Sequence, residues 1–126
     1  MVRFDHLAID VGDRAAARDW YVSVLGLEVE FEIDAAGVTA VRDDHDFTIF
    51  LVERDHVHPE CGLTFQVDDV DAFAAGLAAR GVAFVNAPQV NAWGYGAELR
   101  DPDGHLVMLW DARSMKAHEG EAQAPT

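Results

Sequence analysis

The sequence predicts an α+β fold: two βαβββ modules forming a curved mixed sheet around a cleft. Two observations carry that expectation. Leu7-Ala8-Ile9-Asp10-Val11-Gly12-Asp13 is echoed 56 residues later by Leu63-Thr64-Phe65-Gln66-Val67-Asp68-Asp69. Each opening leads into an Ala-rich helical stretch that stops at a glycine, Gly26 or Gly81, and then into three strand-like runs. Four strands covered by one helix leave one sheet face bare, and two such sheets can curl toward each other. A chain of two similar units is expected to place its site between them, so repeat-equivalent positions can be compared like an internal alignment.

In the first module, residues 4–11 alternate as a strand does. Asp13 is the expected N-cap of a helix opened by Ala15, Ala16 and Ala17, which are strong helix formers. Ala17, Trp20, Tyr21, Val24 and Leu25 recur at helical spacing, and Gly26 supplies a left-handed stop. Strands are expected over 27–33, 37–41 and 47–52, and a polar linker containing Pro59 over 54–60. The second module repeats the order. It has a strand over 63–67, a cap at Asp68 or Asp69, a helix over 70–80, and strands over 82–85, 95–100 and 105–110. A turn falls at Asp101-Pro102-Asp103-Gly104. The domain is expected over 1–113, with modules at about 2–54 and 61–112, and residues 114–126 as a disordered polar tail.

Composition narrows the function. The 126 residues are enough for one domain with a real core. No run approaches the roughly 20 apolar residues that span a bilayer. The N-terminus lacks the basic and then apolar pattern of a secretory signal, and a single cysteine, Cys61, fits a reducing cytoplasm. A net charge of −14 argues against nucleic acid and anionic membranes as partners. It fits either a solubilising surface or an acidic cleft that draws a cationic ligand.

Among candidate residues, Trp93 and Tyr95 alternate with Gly94 and Gly96 in a loop entering a strand, where aromatic rings can meet a ligand. Trp20 and Tyr21, on the helix, read as core. His56, His58 and Glu60 have metal-like spacing but sit in the linker, so a solvated loop is the better reading. His105 is three residues from Met108 and so points to the other side of their strand. Cys61, at the mouth of an apolar strand, reads as a packing thiol rather than a nucleophile.

The chain resembles the vicinal oxygen chelate superfamily, which includes glyoxalase I, extradiol dioxygenases and bleomycin-resistance proteins. The likeness lies in Phe4-Asp5-His6-Leu7-Ala8-Ile9, Trp20-Tyr21 and Leu25-Gly26-Leu27 of the first module. In the second it lies in Val67-Asp68-Asp69-Val70-Asp71-Ala72, Arg80-Gly81-Val82 and Leu99-Arg100-Asp101-Pro102-Asp103-Gly104-His105. The resemblance implies paired βαβββ modules. In metal-dependent members it also implies four donors, His or Gln on each first strand and Glu on each last strand. Carried onto this sequence, those positions are His6, Phe50 (to within a residue or two), Gly62 and Met108. One donor in four does not hold a catalytic metal.

The character is therefore closest to the metal-free bleomycin-resistance-like binding proteins. The expected ligand is a small aromatic molecule, with no metal and no cofactor. The expected ligand-binding residues are His6, Phe50, Thr64, Trp93, Tyr95, Met108 and Trp110. Phe50, Met108 and Trp110 put soft apolar surface where donors would stand. Relatives of this kind pair modules from two chains, which implies a homodimer. The alternative is an enzyme, with unorthodox metal ligands or cofactorless chemistry using His6 and a carboxylate such as Asp10 or Glu98.

Overall fold

The computed structural model describes residues 3–58 and 62–121. Cys61 and Glu60, singled out above, lie outside the described residues. The chain divides into two compact units, Met1–Cys61 with Asp101–Gly104, and Gly62–Arg100 with His105–Thr126.

The first unit runs β1 (Leu7–Val11), α1 (Arg14–Ser23), β2 (Glu28–Ile33), a 3-10 turn (Asp34–Ala36), β3 (Val38–Arg42) and β4 (Thr48–Glu53). Its sheet order is β1-β4-β3-β2, with β1 and β4 parallel and the other neighbours antiparallel. Asp13 caps α1 by accepting the Ala16 N–H at 3.0 Å, and Gly26 turns the chain at φ 73°. The helix packs Ala17 and Tyr21 into a core with Ile9, Val11, Val41, Ile49 and Leu51. The buried Tyr21 hydroxyl donates to Asp101 Oδ2 at 2.7 Å, and the Gly12 N–H donates to Asp103 Oδ1, also at 2.7 Å. The Asp-Pro-Asp-Gly turn is thereby part of this unit's packing.

The second unit runs β5 (Gly62–Gln66), α2 (Val70–Ala79), β6 (Asn86–Asn91), β7 (Gly94–Arg100), β8 (Leu106–Trp110) and α3 (Ala112–Ala117). Its sheet order, β5-β8-β7-β6, repeats that of the first, with β5 and β8 parallel. Asp69 caps α2 through the Ala72 N–H, 56 positions after the cap of α1. Val70, Ala74 and Leu77 meet Leu63, Ala97, Leu99, Val107 and Leu109 in the core.

Three expectations need correction. The strand expected over 82–85 lies instead at Asn86–Asn91. Val82 donates its N–H to Leu77 O, closing the helix end, so its β-branched side chain misleads. The true strand is polar and contains Pro88, which its place on the sheet edge tolerates. The first strand begins at Leu7, not residue 4, because pairing with β4 begins at Leu7 opposite Ile49. Past Ser114, where polar composition predicts fraying, α3 forms because Asp111 caps it.

Candidate functional site

Paired residues on neighbouring strands project to the same side of a sheet. In the first unit the side away from α1 carries Ala8, Phe50, Ala40 and Phe31 in one row and Asp10, Val52 and Val38 in the next, the row that Ile33 joins. It is an apolar and aromatic face. Phe31 and Ile33 on edge strand β2 are 37% and 48% exposed, large values for such side chains. The His6 imidazole stacks on Phe50, with centroids 3.7 Å apart and planes at 13°, and Phe31 meets Phe50 edge-on at 5.4 Å. His6 Nδ1 lies 2.8 Å from Asp5 Oδ2. Asp10 is engaged elsewhere: it accepts the His58 N–H and lies 3.6 Å from Arg54 Nε.

The bare side of the second unit carries Gly62, Thr64 and Gln66 opposite Leu106, Met108 and Trp110. Glu98 and Arg100 extend those rows on β7, and Asn86 faces Glu98 from β6. Trp93 sits in the two-residue turn between Asn91 and Gly94, and its indole folds over Gly96 on this same side. The Nε1 atom of Trp93 is buried with no acceptor among the described residues. Thr64 Oγ1 lies 4.0 Å from Met108 Sδ.

Tyr95 does not join these residues. Adjacent to Gly96 on the strand, it stands on the helix-covered side, donates its hydroxyl to Asp71 Oδ1 at 2.7 Å, and stacks on His118 with centroids 4.2 Å apart. The Asp71 hydrogen bond, then burial, push its pKa up to about 12, so it remains a donor across the physiological range. The reason the sequence misplaces it is parity: Trp93 reaches the open face from a turn, where strand alternation does not apply. His105, just before β8, is buried at 1% exposure.

The four family metal positions do not fit a metal. Phe50 supplies a ring stacked on His6. Gly62 supplies no side chain, and the Met108 methyl lies 3.2 Å from where a Cβ on Gly62 would stand. Beside His6, the other three positions hold a hydrocarbon ring, a glycine without a side chain and a thioether, and thioether suits soft metals rather than the hard or borderline ions these enzymes use. Among the described residues no group of three or more His, Cys, Asp or Glu side chains comes together to hold an ion, and this includes His56 and His58. No described helix is long and apolar enough to cross a membrane. A cavity of about 380 Å³ in the first unit is lined mainly by charged side chains, among them Arg3, Glu30 and Arg42, and by none of the expected ligand residues.

Two βαβββ units of the same strand order, each with its helix on one side of its sheet, define an α+β protein of repeated modules. A model of the Glyoxalase/Bleomycin resistance protein/Dioxygenase superfamily matches residues 3–109, and the chain belongs to that superfamily. It is similar to an antibiotic binding protein from a Streptomyces species, at 27% identity and TM-score 0.76 over 88% of this chain and 96% of that one. It is similar also to a superfamily member from Sphaerobacter thermophilus, at 25% identity and TM-score 0.73 over 87% and 98%. A lactoylglutathione lyase from Agrobacterium tumefaciens shares the fold, at 19% identity and TM-score 0.72 over 90% and 96%. No protein of curated function matches the chain in sequence.

Proposed function

We propose that the chain is a metal-free small-molecule binding protein that sequesters an aromatic, antibiotic-like ligand, a resistance-type function. One observation carries the reading: at the family's metal positions the His6 ring is stacked on Phe50, and the Met108 methyl lies over Gly62, which has no side chain. Apolar and aromatic surface stands where coordination chemistry would be built. The likeness to an antibiotic binding protein supports the same conclusion. Trp93, Met108, Trp110 and Thr64 form the stacking surface of the second unit, and Phe50 with His6 that of the first. A buried aromatic contact contributes about 0.5–1.5 kcal/mol beyond its area. Several of these with apolar burial can reach the roughly −8 kcal/mol of micromolar binding.

Titration with a panel of polycyclic aromatic antibiotics, followed by tryptophan fluorescence and calorimetry, tests this. A member of the panel is expected to quench emission and bind at micromolar or lower concentration. Trp93→Ala should weaken it at least tenfold while circular dichroism stays unchanged. Conversion of the bound compound to a product, or about one transition metal per chain that is lost in His6→Ala, would refute the reading.

We also propose a homodimer, because bare apolar sheet surface such as Phe31 and Ile33 of β2 favours association. Light scattering at micromolar concentration should return twice the chain mass; a monomer there would count against it.

A further inference from the structure

We propose that the open face of the second unit selects a cation, an aromatic molecule carrying a protonated amine, and that Glu98 reads its charge. The inference rests on the aromatic-binding reading above and adds the ligand's charge and the residue that detects it. Glu98 lies on β7, an inner strand, between Met108 on β8 and Asn86 on β6. It is half-buried. Its side-chain partner among the described residues is Asn86 Nδ2 at 3.5 Å, the outer limit of a hydrogen bond. The ion pairs of the described residues all engage other carboxylates. Arg100, in the neighbouring row of the same face, is exposed at the strand end and has a partner of its own.

A half-buried carboxylate whose side-chain partner among the described residues is a distant amide keeps acceptor capacity that an arriving cation would use. The surroundings favour the same charge. Trp93 and Trp110 share this face, and the negative π-face of an indole attracts cations. The chain's net charge of −14 draws cationic solutes in and turns anionic ones away. A carboxylate serving only to hold β6 in place would instead be closely bonded to it, and Asn86 is at the limit of reach.

Matched three-ring dyes separate charge from stacking: proflavine, a planar cation, and acridone, its neutral counterpart. Both are titrated into the wild-type chain and Glu98→Gln, whose side chain keeps the shape and loses the charge. Calorimetry and tryptophan quenching give affinity; thermal unfolding confirms that the variant is folded. Proflavine should bind wild type at least tenfold more tightly than acridone, and more weakly as salt rises. Glu98→Gln should weaken proflavine about tenfold and change acridone less than threefold. Equal proflavine affinity in the variant, or acridone binding as tightly as proflavine, would overturn the charge-reading role and leave aromatic binding standing. Failure of both dyes to bind wild type at about 1 mM, some −4 kcal/mol, would overturn the stacking surface and this inference with it.

Discussion

Asp111→Ala is expected to lower the stability of the folded chain by about 3 kcal/mol or more. The carboxylate is 1% exposed and holds two helix starts at once. Its Oδ2 accepts the Val70 N–H that opens α2, and its Oδ1 accepts the Ser114 N–H of α3, each at 2.6 Å; the Ser114 hydroxyl adds a third bond at 3.1 Å. A hydrogen bond to a charged group contributes about 1.5–3 kcal/mol, and alanine leaves two backbone donors unsatisfied near the core. Asp111→Ser should recover only a part, because a serine can cap α3 but is too short to reach α2 as well. Urea unfolding of the three chains gives the ranking.

The same residue sets an acid limb. Burial by itself pushes the Asp111 carboxyl up, but the Val70 and Ser114 N–H groups, the Ser114 hydroxyl and the Arg113 charge outweigh it and hold it below the usual carboxylate value. A group whose folded pKa is depressed stabilises above its unfolded value, about 3.9, and loses that contribution as pH falls through the folded value. The thermal midpoint of wild type should therefore fall more steeply below about pH 4 than that of Asp111→Ala. Parallel acid profiles would remove Asp111 as the cause.

Gly96→Ala is expected to destabilise the chain by about 1–3 kcal/mol and to expose Trp93. A methyl there would overlap both the indole of Trp93 and the backbone carbonyl of Leu109. The indole can swing aside, but the carbonyl belongs to an inner strand and cannot move without breaking the sheet. Trp93 emission should shift to the red, and ligand affinity should fall with it. Gly76→Ala, in the middle of α2 with open space around its Cβ, provides the control. It should stabilise by about 0.5–1 kcal/mol through helix propensity alone. An unchanged spectrum and midpoint in Gly96→Ala would show that Trp93 does not rest on this glycine.

Much of the fold is legible without coordinates because its signals are local. Asp13 and Asp69 cap their helices through the next turn, Gly26 and Gly81 adopt the positive φ that ends them, and alternation marks the central strands. The edge strand β6 is not legible, since its residues Asn86 to Asn91 owe their conformation to β7 and not to propensity. The candidate faces divide in the same way. Thr64, Met108 and Trp110 share a side because strand parity follows from the backbone period. Phe31 carries no mark of its proximity to Phe50, because the bulge between Val29 and Phe31 resets the register of β2.

By itself, then, the sequence determined what nearest-neighbour physics and chain periodicity determine: two capped repeats, the inner strands, and the absence of oxygen and nitrogen donors at three of four family positions. Tertiary structure decided what depends on residues far apart in the chain. It sent Trp93 onto the open face and Tyr95 to the opposite one, tied Tyr21 to Asp101, and gave Asp111 two helices to hold. It also left Glu98 half-buried, its side-chain partner among the described residues being the distant amide of Asn86. Each of those outcomes requires a partner brought close by folding, and a side chain's own identity and spacing do not specify which partner arrives.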